Sequence, residues 1–240
     1  MTAPIPAAVP RPANTALDRV PARTQDGPQA AGQFGILFVC TGNMCRSVIA
    51  ERLARRGLHS RLGADARRFP VSGAGTAALD GGPVHPYTEE ALRLLGAGAG
   101  AGGGASRVLT VADVDAADLI LTAGREHRDA VVAMRPGASR RAYLLREFAR
   151  LAAVAPLGGP GRHAAGCSAV DQARHIVAAA AQLRGLVPYV EPAEDEITDP
   201  VSTSAAFFDC ARTIDAAVSQ ALDALCRGLG GAHYRGQHAL

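Results

Sequence analysis

The chain has 240 residues, of which 48% are hydrophobic and 20% charged, a composition that allows a substantial core and excludes a wholly disordered protein. All 25 basic residues are Arg, and 22 acidic residues nearly balance them; the net charge of +3 is too small and dispersed to indicate a nucleic-acid partner. No run of about 18 apolar residues indicates a transmembrane helix. The five cysteines are an odd number in a chain of this length, which disfavours a secreted disulfide framework. The first residues lack the apolar core of a signal peptide, so we expect a cytoplasmic protein without a membrane partner.

The ends of the chain differ in composition from its middle. Residues 1–33 contain six prolines among Ala, Thr and Gln, which predicts a disordered arm. Residues 230–240 are expected to form a disordered tail. Between them we predict one domain over 34–229, interrupted by a flexible Gly/Ala loop at 96–104 and an insertion at about 156–192.

Short apolar runs alternate with amphipathic segments along this domain. The apolar runs indicate strands buried on both faces, and segments with apolar residues every three or four positions indicate helices. In chain order we predict strands at 35–40, 68–72 and 119–122, a fourth strand or the start of a helix at 143–145, and helices from Ser47, over 86–95, over 126–134, near 170–183 and over 207–225. This alternation predicts an α/β fold: a doubly wound, three-layer α/β/α domain with a four-stranded parallel sheet.

The segment CTGNMCRS (residues 40–47) lies between the first strand and the first helix, where ligands bind in such folds. Free backbone N–H groups before the first helical turn can surround an anion, and Gly42 and Asn43 permit the tight, left-handed turn that this requires. Arg46 adds a planar fork for two phosphate oxygens, and the same positive field stabilises a thiolate at Cys40. The predicted phosphate-binding residues are Thr41, Gly42, Asn43, Met44, Cys45 and Arg46. A thiolate facing a bound oxyanion is the arrangement for phosphoryl transfer to sulfur.

The segment FVCTGNMCRSVIAE resembles the active-site loop of low-molecular-weight protein tyrosine phosphatases, whose signature is Cys-x5-Arg-Ser between the first strand and the first helix. Later family blocks have similar segments here in the same order, at 72–76, 106–110, 117–121 and 144–148. Asp199-Pro200 falls just before the last helix, where the family keeps its catalytic Asp-Pro. The resemblance covers about residues 34–229, apart from the Gly/Ala tract and the insertion, and implies the flavodoxin-like three-layer fold of this family.

The resemblance implies a role for each catalytic residue. Cys40 would attack phosphorus and become a phosphocysteine, while Arg46 and the loop amides bind the equatorial oxygens. Ser47 would donate its hydroxyl to the thiolate. Asp199 would protonate the departing oxygen and then activate the water that hydrolyses the intermediate.

The resemblance also implies supporting residues and partners. Asn43 would hold the loop in shape, supported by Ser72, and Cys45 would pair with the nucleophile and shield it from irreversible oxidation. The implied substrates are phosphotyrosine in proteins or small aryl phosphates, and a bacterial tyrosine kinase is a possible partner. No cofactor is implied.

Other residues with metal-binding or redox chemistry have simpler interpretations. The spacing of His163, Cys167 and His175 fits no tight metal-ligand pattern. We expect His85 and His127 at the surface or at helix boundaries. The remaining cysteines, which we expect to be structural, are Cys167, Cys210 and Cys226.

The sequence departs from the family pattern where a phosphotyrosine ring would be held. Val201 stands where an aromatic residue usually follows Asp-Pro, and the usual aromatic after the second strand is missing from Ala77-Ala78-Leu79. Other aromatic residues that could replace them are Tyr87, Phe207 and Phe208.

Two alternative functions remain open at this stage. One is an arsenate reductase of the same fold that uses a small external thiol, since such enzymes often carry Thr after the nucleophile, as Thr41 stands here. A thioredoxin-coupled reductase needs two further cysteines beyond the third strand. This chain has Thr122-Ala123-Gly124 there, which argues against that kind of reductase. The other alternative is a catalytically silent phosphate-binding or scaffold protein.

Overall fold

The computed structural model of the chain describes residues 32–98, 105–156, 168–187 and 190–227. Nearly all of the predicted arm, the whole predicted tail, most of the Gly/Ala tract and part of the predicted insertion lie outside the described residues. The domain limits therefore stay predictions.

Four parallel strands form the sheet at the centre of the molecule. They are β1 (Ile36–Cys40), β2 (Val71–Gly75), β3 (Leu119–Thr122) and β4 (Ala142–Leu144), in the order β2-β1-β3-β4. In the described part of the chain the helices are α1 (Arg46–Leu62), α2 (Pro86–Leu94), α3 (Val111–Ala116), α4 (Arg125–Met134), α5 (Leu145–Val154), α6 (Ala169–Leu183), α7 (Pro192–Asp195) and α8 (Ser204–Leu225). The same described ranges contain 3-10 turns at Gly63–Arg68 and Pro136–Arg140.

The sheet is covered on both faces, which confirms the predicted three-layer α/β/α fold. Alternate side chains of β1 enter two separate cores, because successive residues of a strand point to opposite faces. Ile36 and Phe38 pack with α1, α5, α6 and α8, whereas Leu37 and Val39 pack with α3 and α4. None of the helices in the described ranges is both long and apolar enough to cross a membrane.

The second strand lies three residues later than the sequence indicates. Arg68 ends a 3-10 turn, and β2 has the sequence VSGAG, whose glycines give little strand propensity. Those glycines are required by close packing: a Cβ on Gly75 would lie 2.4 Å from the carbonyl oxygen of Thr41. Glycine in a strand often marks such a close approach of another backbone.

The regions on either side of β3 and the insertion contain elements that the hydrophobic pattern did not resolve. The two interpretations of residues 143–145 both hold, because β4 ends at Leu144 and α5 begins at Leu145. Helix α3 was not predicted, although Thr110 and Asp113 form the capping box that starts it. Helix α6, in the predicted insertion, packs on α5 and α8.

Candidate active site

The loop between β1 and α1 has the conformation that its sequence predicts. Cys40 is the last residue of β1 and is 2% exposed, while α1 begins at Arg46. Asn43 has a φ of 50°, the left-handed conformation expected at this position. The backbone therefore turns sharply between the thiol and the helix N-terminus, whose partial positive charge favours an anion.

A chain of hydrogen bonds connects Asn43 to the Cys40 thiol. Asn43 accepts a hydrogen bond at Oδ1 from the backbone N–H of Arg107 at 3.0 Å, so its amide nitrogen must face Ser47. That nitrogen donates to Ser47 Oγ at 2.8 Å, and Ser47 Oγ lies 3.0 Å from Cys40 Sγ. Because Ser47 Oγ already accepts from Asn43, its hydroxyl proton is free to be donated to sulfur.

The structure does not bring Ser72 to Asn43. Successive side chains of β2 point to opposite faces of the sheet. Val71 packs in the core with α1, and Ala74 in the core with α3 and α4, so Ser72 points to the same face as Ala74, away from the loop. The neighbouring Gly73 takes that position: a Cβ there would lie 3.1 Å from Asn43 Nδ2. The same Cβ would lie 2.7 Å from Glu51 Oε2, whose carboxyl pKa is raised by burial.

The guanidinium of Arg46 is buried and held at each nitrogen. Nη1 donates to the carbonyl oxygen of Ile197 at 3.1 Å, and Nη2 donates to Thr41 Oγ1 at 3.2 Å. Nε lies 3.0 Å from Asp199 Oδ1, an ion pair that lacks the alignment of a hydrogen bond. Arg46 is only 7% exposed, so its orientation is set by these contacts and not by solvent.

Asp199 reaches the loop from far along the chain, and its side chain is 63% exposed. The residues before it are tied to the domain at successive positions. Asp195 pairs with Arg150 at 2.7 Å and Glu196 with Arg125 at 2.7 Å. The Ile197 N–H donates to the carbonyl oxygen of Ala123 at 2.8 Å. These contacts fix the chain up to two residues before Asp199.

His127 is a part of the site that the sequence did not reveal. Of the two expected positions, surface or helix boundary, it has the second: it lies in the first turn of α4 and is fully buried. Its Nε2 lies 2.9 Å from Thr41 Oγ1. Burial lowers the pKa of His127, Glu126 opposes this, and the positive charge of Arg46 lowers it further. His85, in contrast, is a boundary residue as expected and caps the N-terminus of α2.

Cys45 faces a second thiol, that of Cys210 on α8. The hydrogen bond between the Cys45 and Cys210 thiols, together with burial, raises the pKa of Cys45. Cys210 Sγ also lies 3.8 Å from the carbonyl oxygen of Thr198, the residue before Asp199. Cys210 is thus part of the immediate surroundings of the site, whereas the sequence indicated a structural residue.

Aromatic side chains flank the loop at Met44. The backbone N–H of His85 donates to the Met44 carbonyl at 3.1 Å, and the His85 ring stacks on Phe207 at 4.4 Å. Tyr87 packs edge-on against Phe207 and remains 37% exposed. Tyr87 therefore presents an aromatic surface near the loop, while Phe207 is buried beneath it.

No group of three metal-ligating side chains occurs within the described ranges. Of the three residues considered for a metal, His163 and Cys167 lie outside those ranges. His175 contacts the carbonyl oxygen of Pro156 at 3.2 Å.

Solved structures with this fold include phosphatases. The YwlE arginine phosphatase of Geobacillus stearothermophilus superposes with a TM-score of 0.55 at 20% identity, covering 84% of this chain and 99% of that one. The tyrosine phosphatase AmsI of Erwinia amylovora gives a TM-score of 0.54 at 20% identity, covering 82% and 95%. At this identity the likeness shows the fold alone.

Curated relatives are more similar in sequence over a shorter region. The low-molecular-weight protein-tyrosine-phosphatase Etp of Escherichia coli K12 is 36% identical over 102 residues, 42% of this chain; the chain spans 62% of its length. The probable low-molecular-weight protein-tyrosine-phosphatase EpsP of Ralstonia solanacearum is 32% identical over 113 residues, 47% of this chain and 71% of its own. The model of the family "Low molecular weight phosphotyrosine protein phosphatase" matches residues 35–157, more than half of the chain but ending before Asp199. On this match, and on the similarity to EpsP, the chain belongs to the low-molecular-weight phosphotyrosine protein phosphatase family.

Proposed function

We propose that the protein is a phosphomonoester hydrolase that acts on phosphotyrosine in proteins through a phosphocysteine intermediate at Cys40. The observation that carries the proposal is the convergence of a buried Cys40, a hydroxyl donor, a fixed guanidinium and a carboxylate at one loop. Ser47 lies 3.0 Å from the thiol, and Asp199 lies 3.0 Å from Arg46. A silent phosphate-binding protein would not need the acid or the hydroxyl donor.

In the first step the Cys40 thiolate forms a bond to phosphorus as the bond to the aryl oxygen breaks. Arg46 and the loop N–H groups hold the equatorial oxygens and stabilise the charge that develops on them. Asp199 donates a proton to the departing aryl oxygen. The exposure of the Asp199 side chain and its contact with Arg46 support this role.

In the second step water attacks the phosphocysteine. Asp199, now a carboxylate, takes a proton from the water as the new phosphorus–oxygen bond forms. The sulfur–phosphorus bond breaks and returns a thiolate, which the Ser47 hydroxyl stabilises. Asn43 keeps Ser47 in the donating orientation.

An aryl substrate is supported by the surface around the loop. Met44 is 41% exposed and Tyr87 37% exposed, and Val201 follows the acid with 71% exposure. Tyr87 supplies an aromatic contact from α2 in place of the aromatic residue missing after Pro200. We infer phosphoprotein substrates in the cytoplasm and a tyrosine kinase as the partner enzyme, consistent with the tyrosine phosphatases among the relatives.

Turnover of an aryl phosphate, measured beside arsenate reduction with a small thiol, tests the proposal. We expect saturable release of phosphate from phosphotyrosine peptides and aryl phosphates, and no arsenate-dependent oxidation of the thiol. A phosphoarginine peptide serves as a further comparison. Robust arsenate turnover without phosphatase activity would contradict the proposal in favour of the reductase, and phosphate binding without either reaction would favour the silent protein.

Peroxide treatment tests the proposed redox role of Cys45. Peroxide oxidises the Cys40 thiolate to a sulfenic acid, and the Cys45 thiol then forms the disulfide and releases water. We expect wild-type activity to recover on thiol addition, and Cys45→Ser to recover at most a small fraction because its Cys40 is oxidised further. The matched control is Cys210→Ser, which removes the thiol next to Cys45 but leaves the Cys40–Cys45 pair. Equal recovery by Cys45→Ser and wild type would exclude the protective role.

A further inference from the structure

We propose that His127 is a positioning residue for the phosphate-binding arginine: acting through the Thr41 hydroxyl, it fixes the plane of the Arg46 guanidinium. The effect on turnover rests on the proposed phosphatase function, whereas the effect on phosphate binding does not. His127 touches neither the nucleophile nor the acid by a hydrogen bond, so its role is indirect.

The contacts form a continuous path from the histidine to the guanidinium. His127 Nε2 lies 2.9 Å from Thr41 Oγ1, which in turn lies 3.2 Å from Arg46 Nη2. Arg46 Nη1 is fixed separately by the carbonyl oxygen of Ile197 at 3.1 Å. Thr41 is the contact at Nη2, so its loss would leave the guanidinium held by Ile197 at Nη1 and by the ion pair between Nε and the exposed Asp199, and would loosen its orientation.

The donors and acceptors along this path are compatible with a neutral His127 ring. Arg46 can only donate, so Thr41 Oγ1 accepts from it, and the Thr41 hydroxyl proton can then be donated to His127 Nε2. The other ring nitrogen, Nδ1, lies 3.2 Å from Glu126 Oε1 and also faces the Gly124 backbone. Nδ1 is not aligned for a hydrogen bond in the described part of the chain, but a ring proton there lies beside the Glu126 carboxylate and leaves Nε2 free to accept. The lowered pKa of His127, caused first by burial, agrees with a neutral ring.

The position of His127 is itself fixed by the sheet. Strand β3 pairs with β1, with Thr122 opposite Val39, and the Ala123 N–H donates to the Val39 carbonyl at 2.9 Å. The Thr122 hydroxyl holds the next turn through the carbonyl oxygen of Gly124 at 3.0 Å. His127 therefore projects from a rigid strand–turn–helix unit onto the loop, and a site supported by such a unit is held more precisely than one supported by a mobile loop.

Matched substitutions at both ends of the path provide the test. Thr41→Val removes the hydroxyl with little change in shape, and His127→Leu removes the acceptor. For each we expect KM for an aryl phosphate and the dissociation constant of inorganic phosphate, measured by calorimetry, to rise about 2- to 10-fold, the range for one lost hydrogen bond. We expect kcat to change less, because uniform binding is lost. The double variant should be no worse than either single variant, since both break one path.

The controls separate positioning from general damage to the fold. Thr41→Ser and His127→Gln restore a hydroxyl and an acceptor, and should regain affinity relative to Thr41→Val and His127→Leu. Asp129→Ala changes an exposed position of α4 and should bind phosphate as wild type does. Unchanged phosphate affinity in folded Thr41→Val overturns the inference, even if His127→Leu does not fold, and additive losses in the double variant overturn it as well. If the wild type hydrolyses no phosphate ester yet the calorimetric pattern holds, the proposed function fails and the inference stands.

Discussion

Cys40→Ser is expected to abolish hydrolysis of aryl phosphates, with kcat/KM reduced about 10⁴-fold or more, as for other enzymes that lose a nucleophile. The hydroxyl of a serine at this position stays protonated, and Ser47 beside it supplies a donor and no base. The substitution leaves the contacts of Arg46 unchanged, because Ile197, Thr41 and Asp199 hold this side chain and none of these contacts involves the thiol. Steady-state kinetics, with calorimetric titration of inorganic phosphate, measures both properties.

Phosphate affinity of Cys40→Ser should stay within a few-fold of the wild-type value. The matched control is Cys226→Ser, at the C-terminal end of α8 and away from the loop, which should hydrolyse substrate at the wild-type rate. Activity in Cys40→Ser above about 1% of wild type would mean that water attacks the phosphate ester directly, without a covalent intermediate.

Asp199→Asn is expected to reduce kcat about 10²- to 10⁴-fold for esters with poor leaving groups, the range for loss of a general acid. Esters with very acidic leaving phenols need no proton at the departing oxygen. For these esters, the substitution should therefore reduce the rate of the first step much less. A series of aryl phosphates with increasing phenol pKa should therefore show a steep dependence of kcat/KM in Asp199→Asn and a shallow one in wild type.

The contact between Asp199 and Arg46 makes a further distinction possible. The carboxylate lies 3.0 Å from Nε of Arg46, so its neutralisation removes a competitor for the guanidinium and should not weaken phosphate binding. Asp209→Asn, an exposed position in the first part of α8, serves as the control and should show the wild-type leaving-group dependence. A decrease in kcat/KM that is equal for all leaving groups, together with weaker phosphate binding, would assign Asp199 to binding instead of acid catalysis.

The parts of the molecule that depend on local sequence could be predicted. The five-residue apolar run of β1 is buried throughout, and the Gly-Asn turn before α1 produces the left-handed Asn43 that its residue type favours. Asp199 could be placed because the resemblance supplies an Asp-Pro in front of the last helix. Its contact with Arg46, across more than 150 residues of chain, needed the structure.

The parts that depend on packing between distant segments could not be predicted. The sequence of β2, VSGAG, has no alternation of apolar and polar residues that would indicate which side chains face the core. Because side chains alternate along a strand, an error of one residue puts Ser72 opposite Asn43 in place of Gly73. His127 carries no sign in the sequence of its burial or of its contact with Thr41, because that contact arises from the pairing of β1 with β3. The contact between Cys210 and Cys45 could not be predicted for the same reason, because it arises from the packing of α8 beside the loop.

The ties on the segment that precedes Asp199 have a consequence for how this lineage can diversify. Arg150, Arg125 and the Ala123 carbonyl each fasten one of three consecutive residues, 195 to 197, to the rest of the domain. These three contacts fix the position at which the chain reaches Asp199, whatever the length of the chain before them. Lengthening a connection costs little, about 0.6 kcal/mol for each doubling of a flexible loop. A change in chain length between α5 and these contacts therefore leaves the position of Asp199 unaltered, provided that α6 keeps its packing against α5 and α8.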